Sequence, residues 1–264
     1  MKAWEGCIEP VVSDRNEKPR KSGITMILDK GMGIRETMDF VETAASYVDV
    51  VKFSFGTSAF YSKDVCMTKI KVLRENGIRV MPGGTFLEVA VWKDRYYEYL
   101  SRAVELGFDA IEVSDGTIEI DAETRHMAIV QAVEAGFVVF SEVGKKDPAE
   151  EISISRMHEL IARDLESGAF KVIVEAREAG KGVGIFDRDG KVREAEVREL
   201  VSGVQDAESL LWEAPIKNQQ QYLIMRMGTN VNLGNIPPGD ILALEALRQG
   251  LRGDTLKKAY REGR

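Results

Sequence analysis

Acidic and basic residues recur along this chain just after short apolar runs, and their spacing is the first sign of chemistry. Side chains alternate in direction along a strand, so counting by two sorts each run into two faces. Val48, Val50, Lys52 and Ser54 share one face of the run Val48–Phe53. Glu112 and Ser114 oppose Ile111 and Val113; Glu142 aligns with Phe140, and the same count reaches Gly144 and Lys146, with Lys145 next to it. Glu175 and Arg177 alternate with Val174 and Ala176, Glu213 with Trp212 and Ala214, and Asn230 and Asn232 with Val231 and Leu233. Asp29 and Lys30 close the run Ile24–Leu28.

An isolated buried charge costs on the order of several kcal/mol, so groups placed this way must be paired, hydrated or coordinated. Asp29, Glu112, Glu142, Glu175 and Glu213 offer hard oxygen donors, which suit Mg2+ rather than zinc. The two histidines, His126 and His158, fall in helical stretches, which argues against a histidine-based zinc site or catalytic triad. Lys30, Lys52, Lys145, Lys146 and Arg177 provide cationic partners for phosphate or carboxylate. Gly83-Gly84-Thr85 and Gly234-Asn235-Ile236 are expected to present backbone amides to an anion. Metal, lysines and anion-binding loops together suit addition to, or proton transfer at, the carbon beside a carboxylate. A purely structural ring of salt bridges is the competing reading; the position of every charge where a loop begins favours function.

The elements that must hold these residues alternate in type. Eight apolar runs read as strands: Ile24–Leu28, Val48–Phe53, Arg79–Met81, Ala110–Val113, Val138–Ser141, Lys171–Val174, Ser209–Trp212 and Asn230–Leu233. Several are rich in Val and Ile, as strands buried on both faces should be. Between them lie amphipathic segments Ile34–Tyr47, Asp64–Asn76, Trp92–Leu106, Ala122–Ala135, Ile154–Ser167, Lys191–Ser202, Lys217–Met227 and Asp240–Arg248. Gly77, Gly107, Gly136, Gly168, Gly203 and Gly228 follow helical segments, where a left-handed residue closes a helix. Repeated helix–Gly–strand units predict a single-domain (βα)8 barrel of the TIM type, with active-site residues at the carboxyl ends of the strands. An open doubly wound sheet is the structural alternative.

A chain of 264 residues with net charge −7 suits such a barrel and argues against a nucleic-acid partner. The basic run Arg15, Lys18, Arg20 and Lys21, within residues 1–21, reads as a solvated N-terminal segment. Cys7 and Cys66 lack metal or redox spacing and read as reduced thiols. No stretch approaches the roughly 20 apolar residues of a membrane span, and residues 1–22 lack the apolar core of a signal peptide, so a cytoplasmic protein is expected. Arg177–Arg193, with Gly180, Gly182 and Gly184, is a candidate lid; it lacks the strand–GxGxxG–helix arrangement of a nicotinamide site.

The segments Asp29-Lys30-Gly31, Lys52-Phe53-Ser54-Phe55-Gly56-Thr57-Ser58, Pro82-Gly83-Gly84-Thr85 and Glu112-Val113-Ser114-Asp115-Gly116 resemble the phosphosulfolactate synthase family. So do Glu142-Val143-Gly144-Lys145-Lys146, Gly180-Lys181-Gly182, Glu213-Ala214-Pro215, Asn232-Leu233-Gly234-Asn235-Ile236 and Leu251-Arg252-Gly253-Asp254-Thr255, in order along the chain. The resemblance implies a lyase that adds sulfite to phosphoenolpyruvate with Mg2+, giving (2R)-phospho-3-sulfolactate. In archaeal members this starts coenzyme M biosynthesis; bacterial members are associated with sulfolactate formation. It also implies a barrel that forms a homo-oligomer, a trimer. On this reading the catalytic lysines are Lys146, with Lys145 as the alternative proton donor, and Lys52. Lys30, Ser54, Gly83, Gly84, Thr85, Arg177, Asn232, Gly234 and Asn235 would bind substrate, and Asp29, Glu112, Glu142, Glu175 and Glu213 the metal. The alternatives are a lyase or aldolase that uses Lys52 or Lys146 as a Schiff base, and a non-catalytic barrel that binds phosphorylated metabolites.

Overall fold

The computed structural model describes residues 3–262. Eight strands run as β1 (Thr25–Asp29), β2 (Val50–Phe53), β3 (Arg79–Pro82), β4 (Ala110–Val113), β5 (Val138–Val143), β6 (Lys171–Val174), β7 (Leu210–Glu213) and β8 (Leu233–Ile236). The α-helices among the described residues are α1 (Ile34–Ala44), α2 (Lys63–Glu75), α3 (Gly84–Trp92), α4 (Tyr96–Leu106), α5 (Ala122–Glu134), α6 (Ile154–Glu166), α7 (Glu194–Ser202), α8 (Lys217–Met227), α9 (Ile241–Arg248) and α10 (Gly253–Glu262).

The strand order is β3-β2-β1-β8-β7-β6-β5-β4, and every paired ladder is parallel. Pairing of the first strand with the last makes this a (βα)8 barrel and excludes the open doubly wound sheet. The seam lies between β3 and β4, where the Asp109 amide donates to Val80 O at 3.3 Å and the Val80 amide donates to Asp109 Oδ1 at 2.8 Å.

Side-chain alternation divides the core in two. Met26, Val50, Met81, Ala110, Phe140, Ile173 and Leu211 fill the inside of the barrel. Ile27, Val51, Phe53, Val80, Ile111, Val113, Val172 and Val174 face outward into the helix layer. One step up from the inner apolar layer, the same parity brings Lys52, Glu112, Glu142, Glu175 and Glu213 into the barrel. Each large apolar side chain fully buried below contributes about 1.5–3 kcal/mol, which offsets the cost of that charged layer.

Several local details differ from expectation. The eighth strand starts at Leu233 rather than Asn230, because Asn232 works as a bracket: its Oδ1 accepts from the Ile24 amide at 3.0 Å, and its Nδ2 donates to the carbonyls of Glu208 and Leu210. The helix expected over Trp92–Leu106 begins at Tyr96, since Asp94 is left-handed with φ 54°. The stretch before it forms α3, which parity alone did not reveal. Gly77, Gly107, Gly136, Gly168 and Gly228 have positive φ as expected, whereas Gly203 has φ −95°. A Cβ at Gly203 would stand 2.1 Å from the His158 ring, so close approach explains that glycine.

The basic N-terminal run is not a solvated segment. Arg15 pairs with Glu245 at 3.1 Å, Arg20 with Asp49 at 3.2 Å, and Lys18 donates to the carbonyls of Ala45 and Val48. The chain thereby docks across the amino ends of the strands. The glycine-rich Arg177–Arg193 stretch is also more folded than a lid requires. Val183, Ile185 and Phe186 are buried, and Gln219 Nε2 donates to the carbonyls of Gly180 and Gly190. No helix among the described residues is long and apolar enough to cross a membrane.

Candidate active site

At the carboxyl ends of the strands a small cavity of about 60 Å³ is lined by Lys52, Ser54, Thr85, Glu112, Glu142, Lys146, Glu175, Arg177, Glu213 and Asn235, among others. Lys52, from β2, stands 2.9 Å from Glu112 Oε2, 3.0 Å from Glu213 Oε1 and 3.8 Å from Glu142 Oε2. Burial disfavours its charge, but Glu112, Glu213 and Glu142 outweigh burial and hold it well above the ordinary lysine range. An amine kept as ammonium is a poor nucleophile, which speaks against a Schiff base at Lys52.

Lys146 follows β5 and reaches back over the mouth. Its Nζ donates to Thr85 Oγ1 at 3.3 Å and lies 3.2 Å from Glu142 Oε1, 3.6 Å from Glu175 Oε2 and 3.8 Å from Glu88 Oε1. Against burial, the charges of Glu142, Glu175, Glu112 and Glu88 raise its pKa, so it too is an ammonium. Gly116 leaves it room, since a Cβ there would lie 3.1 Å from Lys146 Nζ. Lys145 points elsewhere: its ammonium donates to the Asp115 carbonyl at 2.6 Å, and it does not line the cavity. Of the two adjacent lysines considered as proton donors, only Lys146 lines the cavity.

Glu142, Glu175 and Glu213 each bring an oxygen to within 4.8 Å of the others. Glu142 Oε1 and Glu175 Oε2 are buried without a hydrogen-bond partner; Lys146 is at ion-pair distance from both, 3.2 and 3.6 Å, but hydrogen-bonds to neither. Burial opposes ionisation of Glu142, but Lys146 and Lys52 bring its pKa down to about 2. Burial, then the charges of Glu142 and Glu213, push Glu175 well above the carboxylate range, which favours its protonated form. A buried trio of hard oxygens, two of them unsatisfied, fits a divalent cation such as Mg2+.

The other residues expected at the metal or the substrate divide. Glu112 faces the cavity; its Oε1 accepts from the Gly84 amide at 2.7 Å, and its Oε2, buried without a hydrogen-bond partner, stands 2.9 Å from Lys52, but it is not one of the three carboxylates that come together. Asp29 is not at the mouth. Parity turns it, like Ile27, toward the helices, where Oδ1 accepts from the amides of Gly31 and Met32 and Oδ2 from Lys69 at 2.7 Å. Ser54 lines the cavity and donates to the Asp29 carbonyl. Gly83 and Gly84 line it too, but their amides donate to Phe53 O and Glu112 Oε1, so they are engaged within the protein rather than offered to an anion. Gly84 is required for space, because a Cβ there would meet Ser114 Oγ at 2.4 Å. Gly234 is a packing residue whose Cβ would meet Leu211 and Met26 at 2.5 and 2.6 Å, and Asn232 sits at the opposite end of the barrel. Asn235, with φ 54°, does reach the cavity, and its Oδ1 is buried without a partner. Arg177 lines the cavity with φ 60°, while Lys30 stays exposed at the rim, paired with Glu178.

Three residues borne on helices were not foreseen. Glu88 of α3 accepts from Ser114 Oγ at 2.6 Å and from the amides of Thr117 and Ile118, fixing the loop after β4 beneath Lys146. Arg125 of α5 pairs with Asp164 and Asp115 and donates to the Glu142 carbonyl at 2.8 Å, bracing the end of β5. Lys69 of α2 holds Asp29. A buried charge on an otherwise amphipathic helix leaves no periodic trace, and only the polar residue on an apolar face hints at it.

Residues 13–254 match the model of the (2R)-phospho-3-sulfolactate synthase (ComA) family. The chain belongs to this family. It is 45% identical over 246 residues to the phosphosulfolactate synthase of Methanothermobacter thermautotrophicus, covering 92% of this chain and 95% of that one. It is 40% identical to the phosphosulfolactate synthase of Bacillus subtilis, over 91% of this chain and 95% of that one. Among solved structures, 3-hexulose-6-phosphate synthase from Salmonella typhimurium is similar with TM-score 0.56 at 13% identity, covering 87% of this chain and all of that one. That likeness shows the barrel alone. As a member of the phosphosulfolactate synthase family, the protein is an enzyme of the lyase class, which excludes the non-catalytic alternative.

Proposed function

We propose that this enzyme adds sulfite to phosphoenolpyruvate to form (2R)-phospho-3-sulfolactate, with Lys146 as the proton donor. The observation that carries this reading is the Lys146 ammonium, which lines the cavity and is held charged chiefly by Glu142, beside a buried carboxylate trio. Glu142, Glu175 and Glu213 would hold Mg2+, which when bound supplies positive charge beside the substrate carboxylate. Lys52, fixed between Glu112 and Glu213, keeps further positive charge at the cavity floor. Arg177, Ser54, Thr85 and Asn235 surround the remaining polar groups of the substrate. The sulfur lone pair of sulfite forms the bond to C3, and the C2–C3 π pair moves to C2, where the adjacent carboxylate delocalises it. Lys146 then gives its proton to C2, and the phosphate ester stays intact.

Exposed Phe60, Trp92 and Tyr97 around α3 support a homo-oligomer, which we take to be a trimer, and free Cys7 and Cys66 support a cytoplasmic setting. The decisive experiment is turnover of phosphoenolpyruvate with sulfite, followed by 31P NMR. The product should form with Mg2+, vanish with EDTA and return when Mg2+ is restored. Undiminished turnover by metal-stripped enzyme would remove the role given to the trio.

A further inference from the structure

We propose that Lys69 is a positioning residue for the catalytic mouth, acting through Asp29, and that Asp29 serves as a turn anchor rather than a metal ligand. The catalytic part of this proposal rests on the function proposed above. Lys69 is completely buried on α2, in a layer whose neighbours Ile27, Phe53, Cys66, Ile70 and Leu73 are apolar. Its ammonium donates to Asp29 Oδ2 at 2.7 Å and to the Tyr61 hydroxyl at 3.0 Å. It also lies 4.6 Å and 4.5 Å from the ring centroids of Phe53 and Tyr61. Replacing a buried ion pair by apolar side chains is often neutral or stabilising, so what this pair contributes is geometry.

That geometry reaches the cavity by two routes. Asp29 Oδ1 accepts from the amides of Gly31 at 2.7 Å and Met32 at 2.8 Å, which sets the turn after β1. The Asp29 carbonyl accepts from Ser54 Oγ at 2.7 Å, and Ser54 lines the cavity two residues after Lys52. One side chain buried outside the barrel therefore fixes the ends of two adjacent strands inside it. Both oxygens of Asp29 accept from donors on the helix side of the barrel, and the residue lies outside the cavity and outside the carboxylate trio.

The test uses the full chain as Lys69→Met and Asp29→Asn. Three quantities are measured: hydrogen exchange at residues 29–33, Mn2+ affinity by electron paramagnetic resonance, and kcat and KM for phosphoenolpyruvate. In Lys69→Met the amides of Gly31 and Met32 should exchange about tenfold faster or more. Its kcat should fall about tenfold, as sub-ångström misplacement predicts, at temperatures well below its melting point. Mn2+ affinity should stay within about twofold of the parent in both variants, because the ligands are untouched. A folded Lys69→Met with parental exchange and kcat overturns the positioning role, and a tenfold loss of Mn2+ affinity in Asp29→Asn makes that residue a ligand after all. If Lys69→Met does not fold, Asp29→Asn must show the faster exchange, and parental exchange there is equally fatal. Absence of turnover by the unmodified protein would sink the reaction proposed above, while exchange and Mn2+ binding would still decide this proposal.

Discussion

At the amino ends of the strands, Arg15 reaches Glu245, Arg20 reaches Asp49, and Arg248 donates through both terminal nitrogens to the carbonyls of Thr229, Val231 and Ile24. At the carboxyl ends, Glu142 and Glu175 turn oxygens without hydrogen-bond partners toward a cavity, and burial raises the Glu175 pKa well above the carboxylate range. Both ends bury several charges, yet only one leaves carboxylate oxygens unsatisfied. Size does not tell them apart in the expected way, since the larger cavity, about 930 Å³, opens at the amino ends between Lys18, Arg20, Arg79 and Asp109. What separates the site from the structural network is a set of unsatisfied carboxylate oxygens beside a cavity.

The comparison would break most visibly at Lys146. Lys146→Ala should lower kcat by roughly 10²–10⁴-fold while KM for phosphoenolpyruvate changes little, as loss of a proton donor demands. A variant that keeps kcat at saturating substrate and raises only KM would make Lys146 a binding residue.

At the opposite end, Glu245→Gln should cost about 2–4 kcal/mol of stability and leave kcat unchanged, because it breaks a nearly buried pair far from the mouth. Burial works against the Glu245 carboxylate, but hydrogen bonding to Arg15 and its charge outweigh burial and lower the pKa. A depressed folded-state pKa contributes stability above the unfolded value of about 4.3 and loses it as pH falls through the folded value. Denaturant titrations should therefore show the full gap between parent and variant at pH 7 and a shrinking gap below about pH 4. A gap that does not depend on pH would mean packing, not charge, accounts for the loss.

The smallest effect has the opposite sign. Glu175→Gln should stabilise the metal-free protein at neutral pH by about 1 kcal/mol while weakening Mn2+ binding, as expected where function opposes stability. The raised pKa of Glu175 means that the metal-free parent loses stability as pH rises beyond the unfolded carboxylate value; the variant should lack that slope. Melting curves across pH, with and without Mn2+, measure both. A destabilised Glu175→Gln would place this residue with the satisfied network instead.

Much of this was legible from residue types and spacing. A two-residue period assigned Lys52, Glu112, Glu142, Glu175 and Glu213 to the barrel interior, because direction along a strand is a local property of the backbone. Helices closed by glycine and alternating with apolar strands determined the barrel for the same reason. The period did not assign Asp29, which follows Ile27 outward, nor Asn232, which lies before its strand begins. Only the tertiary structure decided which charges are spent and which are free. Lys69 meets Asp29 from 40 residues away, Lys52 meets Glu213 from 161, and Arg15 meets Glu245 from 230. Such pairings depend on where the closed barrel brings distant side chains together, and ionic attraction reads distance in space rather than distance along the chain. The sequence by itself thus determined the scaffold and the chemical inventory of its mouth, while the separation of Lys146 from Lys145, and of the glutamate trio from Asp29 and Glu112, came from the partners that folding supplied.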